Sequence, residues 1–255
     1  TLSQVTTIAG LLMATNNGAL TLSTNNITCK GLTIGTAAFV HAGTTTITVN
    51  GGVWTGAGGT ITAVTGNLTL VGAVTIIGAV RYKTGILNTS AATITWGTGS
   101  EFAVINTATI TDTNAGTPNW AGCSFAVSSV TPQTLTLSQA TTILNISIAT
   151  SINFTVATNG FTILGNITLA AGCTFQGTPI TWTGASGTAT WTSLGGGIMA
   201  NLTITGAVTI SGNVYYRTGI LNTSAATITW DSGTVNIYAS CTITDTNANT
   251  PNWAV

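Results

Sequence analysis

Short runs in which apolar residues alternate with threonine recur along the chain. Thr44–Val49, Asn67–Leu70 and Ala92–Trp96 are three of them. A period of two puts the apolar side chains on one face of a β-strand and the threonines on the other. The helical spacing i, i+3, i+4, i+7 is missing, and the helix formers Glu, Lys, Arg and Gln are scarce. The pattern therefore predicts an all-β protein.

Glycine, asparagine and serine separate these runs. Asn16–Gly18, Gly56–Gly59 and Gly195–Gly197 are clusters of this kind, and such residues supply the positive φ angles of tight corners. A sandwich or barrel normally has a charged outer face, whereas threonine, asparagine and serine occupy that face here and can stack in ladders. Short strands with short corners predict a parallel β-solenoid, with on the order of a dozen turns of about 20 residues.

The chain holds two copies of one long unit. Residues 84–96 return unchanged as residues 218–230, an offset of 134 positions. The offset varies slightly elsewhere, and we place these length changes in corners, because a one-residue slip within a strand would turn every side chain over. The prediction is a solenoid repeat at 1–121, a connecting corner or linker at 122–133, and a second solenoid repeat at 134–255.

Charge is unusually scarce. Charged residues make up 3% of the 255 residues and the formal net charge is zero, whereas about a quarter of a typical domain is charged. Nucleic-acid binding is excluded, because it needs clustered cations. Threonine, asparagine and glycine break every apolar run well before the roughly 18 residues of a membrane helix, so no transmembrane segment is expected. At 44% apolar residues, the chain can still bury a core.

Two related runs, Asn67–Gly78 and Asn201–Gly212, each hold strand-like segments on either side of a glycine. They resemble the turns of right-handed parallel β-helix surface proteins of the autotransporter-passenger and filamentous-adhesin type, and also those of fibrous phage appendages. The resemblance implies a non-enzymatic structural role in an extracellular fibre, a surface adhesin stalk or a filament, with surface glycans as a candidate partner. The alternative that it implies is a fibre or appendage of a virion.

Self-association is also expected. A protein without net charge lacks the repulsion that keeps soluble monomers apart. Open solenoid ends would present unpaired strand edges, which invite further strands. The sequence therefore predicts a homo-oligomer or a filament.

Catalytic chemistry lacks the residues that it needs. Glycan hydrolysis requires two carboxylates at one bond, and the four acids do not form such a pair: Glu101, Asp112, Asp231 and Asp245. Asp112 and Asp245 occupy the same repeat position, in Thr-Asp-Thr-Asn, where aspartate binds its own backbone in a turn. The four cysteines show no metal spacing and are interpreted as small buried fillers. No catalytic residue, metal or cofactor is predicted, and the chain is interpreted as not being an enzyme.

Lys83 and Arg217 occupy matching positions in the two copies, in Tyr82–Gly85 and Tyr216–Gly219. Each copy thus keeps one cation and one anion, Lys83 with Asp112 and Arg217 with Asp245. Structural ion pairs, unrelated surface charges and subunit contacts are the three hypotheses. A subunit contact is among them because, on a nearly uncharged surface, each charge strongly determines the register of association.

Tryptophan offers a different kind of candidate site. Three pairs are expected from the repeat, and the first of them matches Trp54 with Trp182, whereas Trp191 lies in a stretch without a counterpart. Trp54 and Trp191 are candidates for stacking against sugars or against another subunit. The alternative is that they fill corners of the solenoid.

Thr-x-Thr triplets raise an ice-binding alternative. Flat ranks of outward threonine suit that function only if the triplets fall at one position, turn after turn. They begin at irregular intervals, at Thr46, Thr60, Thr93, Thr107 and Thr134. This spacing favours the alternative, in which threonine solubilises the surface and forms ladders.

Overall fold

The structure is a computed structural model. It describes residues 4–14, 25–34, 40–41, 45–57, 63–64, 67–82, 85–105, 107–114, 119–127, 131–149, 151–185, 189–232, 234–247 and 253. Every regular element in this part of the chain is a β-strand, as the alternating pattern predicts. The chain divides into a first unit, residues 1–124 with 135–139, and a second unit, residues 125–134 with 140–255.

The described residues form twenty-four strands. The first eleven are β1 Thr6–Ala14, β2 Ile27–Ile34, β3 Val40–His41, β4 Thr46–Ala57, β5 Ala63–Val64, β6 Asn67–Tyr82, β7 Gly85–Trp96, β8 Glu101–Val104, β9 Ala108–Thr111, β10 Ser124–Val127 and β11 Gln133–Leu137. The others are β12 Thr141–Ile143, β13 Asn145–Ile148, β14 Asn153–Val156, β15 Phe161–Ile163, β16 Ile167–Leu169, β17 Thr174–Gly177, β18 Ile180–Trp182, β19 Ala189–Met199, β20 Leu202–Ile204, β21 Ala207–Asn222, β22 Thr227–Ser232, β23 Val235–Ile237 and β24 Cys241–Thr244.

Strands pair in parallel with the strand one turn further along the chain. In the first unit β1 pairs with β2, β2 with β4, β4 with β6, and β6 with β7. Two of the hydrogen bonds between neighbouring turns, for example, join residues 19 and 22 positions apart. The predicted parallel β-solenoid is confirmed. The described residues make about nine turns, fewer than the dozen expected, since that estimate divided the whole chain evenly.

Inward side chains form columns that run from turn to turn. In the first unit Ile47, Leu68 and Leu87 stack at one position, and each is at most 1% exposed. In the second unit the column is aromatic: Phe154 lies between Phe125 and Phe175, with ring centroids 6.0 and 5.7 Å away. These columns are the core, because period-two alternation sends every second side chain inward.

Glycine is required where one corner lies directly against the next. Gly78 has φ +77°, and a Cβ at this position would collide with the carbonyl oxygen of Gly56. Gly52, at φ +82°, would meet the carbonyl of Lys30 in the same way. A side chain at either position would therefore be strained by the backbone and blocked by the neighbouring turn.

The two identical segments share one burial pattern. Burial alternates in the same order along 85–96 and 219–230. Ile94 and Ile228 pair with the buried residues Val74 and Val208 of the preceding turn, so both face inward as predicted, although they are only half-buried. The threonines on either side of each isoleucine are exposed, as predicted.

Some of the threonines stack in ladders, although their spacing along the chain is irregular. Thr28, Thr48 and Thr69 stack at one ladder position of the first unit. In the second unit a longer column stacks from β12 to β20, and it consists of Thr142, Thr162, Thr181 and Thr203. The irregular spacing arises because turns differ in length while the strands keep their register, so the corners absorb the differences.

Candidate functional site

Each of the two units contains a polar corner. In the first unit we call it the Asp112 corner, and it consists of Asn88, Ser90, Asp112, Asn114 and Asn119. Asp112 Oδ1 accepts a hydrogen bond from the Asn114 amide at 3.0 Å, and Asn114 Nδ2 donates to the Ala92 carbonyl of the turn below at 2.8 Å. The Asp-Thr-Asn sequence thus forms the predicted turn and fastens it to its neighbour.

Asn119 is the centre of this corner. Its Nδ2 donates to Asp112 Oδ2 at 3.0 Å and to the Thr89 carbonyl at 3.2 Å, while its Oδ1 accepts from the Ile94 amide at 3.0 Å. Asn119 and Asp112 are each 3% exposed. Because both oxygens of the Asp112 carboxylate accept hydrogen bonds, the burial of this charge is compensated by polar partners.

Ser90 joins the same corner to the turn above it. Its amide donates to Asn88 Oδ1 at 3.0 Å, and its Oγ accepts from the Thr113 amide at 3.1 Å. Every hydrogen bond in this set serves a backbone group or orients another member of the corner. The one carboxylate of this corner, that of Asp112, is held by amide donors. The arrangement therefore suits a structural clamp between turns.

The second unit builds a matching corner, which we call the Asp245 corner: Asn222, Ser224, Asp245 and Asn247. Asp245 Oδ1 accepts from the Asn247 amide at 3.0 Å, and Asn247 Nδ2 donates to the Ala226 carbonyl at 3.0 Å. Ser224 Oγ accepts from the Thr246 amide at 3.1 Å. The repeated sequence therefore forms these three hydrogen bonds in both units.

Tryptophan pairs lie beside the two corners. Trp96 and Trp120 are 5.5 Å apart at an interplanar angle of 46°, and Trp230 and Trp253 are 5.3 Å apart at 47°. Trp96 Nε1 also donates to the Asn119 carbonyl at 2.6 Å. Trp96 is thereby hydrogen-bonded to the Asp112 corner.

The predicted charge pairs remain predictions. Lys83 lies outside the described residues. Asp112 is committed to Asn114 and Asn119 within its own corner. Arg217 is half-buried and lies across Gly197, where a Cβ would come within 2.8 Å of Arg217 Nε. The Arg217 side chain therefore packs against the backbone of the turn below. Matching charged residues between the two copies does not predict this contact.

Trp54 and Trp191 are buried and do not contribute to an exposed surface. They are 0% and 2% exposed, so neither ring can stack on a sugar or on another subunit, and this expectation is wrong. The expected match of Trp54 with Trp182 is also wrong. Trp54 pairs with Ile76 and Trp191 with Ile210, which are equivalent positions, so Trp54 corresponds to Trp191. Both fill the core, because the repeat needs one large side chain there.

The cysteines are free. Cys29, Cys123 and Cys173 are buried and Cys241 is half-buried, which confirms their interpretation as small fillers. Burial raises the pKa of the Cys173 thiol to about 11, although a backbone hydrogen bond and the nearby Arg217 partly oppose this rise. Burial also raises the pKa of the Cys123 thiol well above its usual value. These thiols stay protonated and weakly nucleophilic at neutral pH.

Sequence reasoning missed two features of the second unit. Tyr238 is 52% exposed and stacks on Tyr215, with ring centroids 5.7 Å apart. The first copy gave no signal for this pair, since Arg81 and Ile105 occupy the equivalent positions. The second feature is a pair of inward-facing isoleucines, Ile237 and Ile243, which are 44% and 40% exposed.

Within the described ranges no group of three His, Cys, Asp or Glu side chains is placed to hold a metal ion, and no helix is long and apolar enough to cross a membrane. Fold and corners together define a parallel β-solenoid whose turns are fastened by asparagine, serine and aspartate. Searches against protein families, curated proteins and solved structures find no match for this chain.

Proposed function

We propose that this chain is a non-enzymatic structural protein that self-associates, as a subunit or segment of an extracellular fibre, a surface adhesin stalk or a filament. The observation that carries the proposal is a surface that exposes apolar side chains while charge is scarce. Ile86 and Ile220, at matching repeat positions, face outward at 45% and 47% exposure. Only eight of the 255 residues are charged at neutral pH, four of each sign.

Such a surface favours association over dispersal. Soluble monomers rely on charge to remain apart, and exposed apolar patches mark contact surfaces. The buried corners add a second argument, since polar groups that serve only to fasten one turn to the next suit a scaffold. A virion fibre or appendage makes the same physical demands and is the alternative setting. Surface glycans remain a candidate partner of an adhesin, with the exposed Tyr238, stacked on the half-buried Tyr215, as the contact in place of the buried tryptophans.

Sedimentation velocity over a series of protein concentrations tests the proposal. The weight-average sedimentation coefficient should rise with concentration, and low or high salt should change it little, since few ion pairs are available to be screened. A single monomeric species up to the highest concentration, at both salt levels, would contradict the proposal.

A second candidate function, ice binding, is favoured by the stacked threonine column of the second unit. Thr142, Thr162, Thr181 and Thr203 follow one another at one ladder position, and adjacent strands in such a stack lie about 4.8 Å apart. If this column binds ice, the chain will separate the melting and freezing points of ice, and Thr181→Tyr will abolish that separation. Equal melting and freezing points in the unaltered chain would rule this function out.

A further inference from the structure

A cleft of about 280 Å³ opens at one corner of the second unit. It lies where the chain passes from β14 to β15 and, one turn further on, from β17 to β18. Thr158 and Asn159 come from the first of these corners, and Pro179 comes from the second. Thr162 and Thr181, which are neighbours in the threonine column, line the cleft along the sheet. Its volume lies near the lower end of the range for small-molecule sites.

The backbone around the cleft is held in place from turn to turn. The Gly160 carbonyl accepts a hydrogen bond from the Thr141 amide at 3.1 Å, and the Thr178 amide donates to the Val156 carbonyl at 3.1 Å. A Cβ at Gly160 would collide with the carbonyl oxygen of Pro179, so glycine lets the two corners approach closely. The cleft is therefore preformed, and a ligand that enters it needs to order little of the protein.

The sequence around the cleft is uncharged. Residues 113–216 contain no Asp, Glu, Lys, Arg or His, and none of the described residues that line the cleft is charged. An ionic ligand would lose part of its hydration here without gaining a counter-charge, which is unfavourable. The cleft therefore suits a neutral ligand.

The side chains of the cleft combine hydroxyl and amide groups with an apolar wall. A threonine hydroxyl both donates and accepts, and the Asn159 amide has several donor and acceptor sites, so each group can bind a ligand in addition to a partner in the protein. Pro179 and Ala140 contribute exposed apolar surface. A pyranose ring has the matching combination, with hydroxyl groups around its edge and C–H groups on its faces.

A peptide strand matches the cleft less well. Peptides that add to a sheet need a strand edge whose backbone groups are free. The strands beside the cleft have a neighbour on each side, because β15 pairs with β12 and β18, and β18 pairs with β15 and β20. The binding groups that remain are side chains, as a sugar requires.

We propose that this cleft binds one neutral pyranose unit of a glycan. The Thr162 hydroxyl and the Asn159 amide bond the sugar hydroxyls, while Pro179 packs against a C–H face of the ring. The inference rests on the adhesin role within the proposed function, and it assigns a glycan contact to residues other than Tyr238. Self-association is measured separately by sedimentation, so the two proposals can fail independently.

Saturation-transfer difference NMR tests the cleft with the methyl glycosides of glucose, galactose, mannose and N-acetylglucosamine, and with methyl glucuronide as an anionic sugar. At least one neutral glycoside should show saturation transfer, and the glucuronide should show none. Ala140→Trp fills the cleft from an exposed position and should abolish the signal. Ala149→Trp adds the same ring at an exposed alanine outside the cleft, so it is the matched control and should keep the signal. Thr162→Val, which removes one hydroxyl, should raise the Kd about fivefold.

Circular dichroism verifies that the variants fold, and Ala140→Phe replaces Ala140→Trp if the larger ring reduces the strand signal. The proposal is overturned if no neutral glycoside shows saturation transfer, if the signal survives in Ala140→Trp, or if Ala149→Trp loses it as well. Equal binding of the glucuronide would show that the ligand class is wrong. If Tyr238→Ala abolishes the signal and Ala140→Trp does not, the glycan contact lies at Tyr238 and only the cleft is refuted.

Discussion

The hydroxyl group of Ser138 forms hydrogen bonds with both backbone groups of Asp112. It accepts from the amide at 2.9 Å and donates to the carbonyl at 3.1 Å. Without Ser138, the backbone amide and carbonyl of the buried Asp112 would lose these hydrogen bonds. The serine thus completes the Asp112 corner from the turn above it, and it does so from the sequence that begins the second copy of the repeat. The corner is therefore a joint between successive turns.

Removing this hydroxyl should weaken the first unit. Ser138→Ala leaves an amide and a carbonyl at Asp112 without these hydrogen bonds, which should lower the free energy of unfolding by about 1–3 kcal/mol. Urea denaturation measures the change. Ser211→Ala is the matched control, since its hydroxyl makes an exposed bond to Asp231 Oδ2 at 3.2 Å, and it should change stability by about 0.5 kcal/mol or less. If Ser138→Ala lowers the free energy of unfolding no more than Ser211→Ala does, the Ser138 hydroxyl does not stabilise the first unit.

A carboxylate in place of the central asparagine should make stability depend on pH. Asn119→Asp replaces a donor to Asp112 Oδ2 with a second buried acid, so the two charges repel at neutral pH. Protonation of either acid removes the repulsion and restores a donor. The variant should therefore be destabilised more at pH 7 than at pH 4, relative to the unaltered chain at each pH. Asn67→Asp, whose Oδ1 accepts an exposed bond from the Ile86 amide, should show no such difference.

A truncation in the phenylalanine column should destabilise mainly the turns next to it. Phe154 is fully buried between Phe125 and Phe175, and Phe154→Ala should lower the free energy of unfolding by about 3–5 kcal/mol. Solenoid turns are stabilised mainly by their nearest neighbours. Hydrogen–deuterium exchange should accelerate in β14 and in the strands that flank it, and little in β4 and β6. Uniform acceleration throughout both units would contradict a nearest-neighbour stack.

Stability should decline in alkali. Burial raises the pKa of Cys173 from 9.0 to about 11 and that of Tyr216 from 10.0 to about 12. The folded state then holds these protons more tightly than the unfolded chain, so the stability present below pH 9 is lost as the pH rises toward 12. The urea midpoint should fall between pH 8 and pH 11. The double variant Cys173→Ala, Tyr216→Phe should fall less, and an identical fall would contradict this assignment.

Features that depend only on residues close together in sequence were predicted correctly. Period-two alternation identified the strands and the inward direction of Ile94 and Ile228, because neighbouring residues in a strand face opposite sides. The Thr-Asp-Thr-Asn turn at Asp112 was also predicted, since its first hydrogen bond reaches only two residues along the chain. These features depend on little beyond the segment that carries them.

Features that depend on the stacking of turns were missed. Thr28, Thr48 and Thr69 share one position only because the corners between them take up unequal lengths, which spacing along the chain conceals. The correspondence of Trp54 with Trp191 was lost for the same reason. Asn119 drew no attention as one asparagine among many, although it joins three partners up to 30 residues apart in sequence.

Electron microscopy of the purified chain at increasing concentration is the most direct test of a self-associating structural solenoid. The account predicts assemblies that grow with protein concentration and persist at high salt. Dispersed single particles of constant size at every concentration would contradict it.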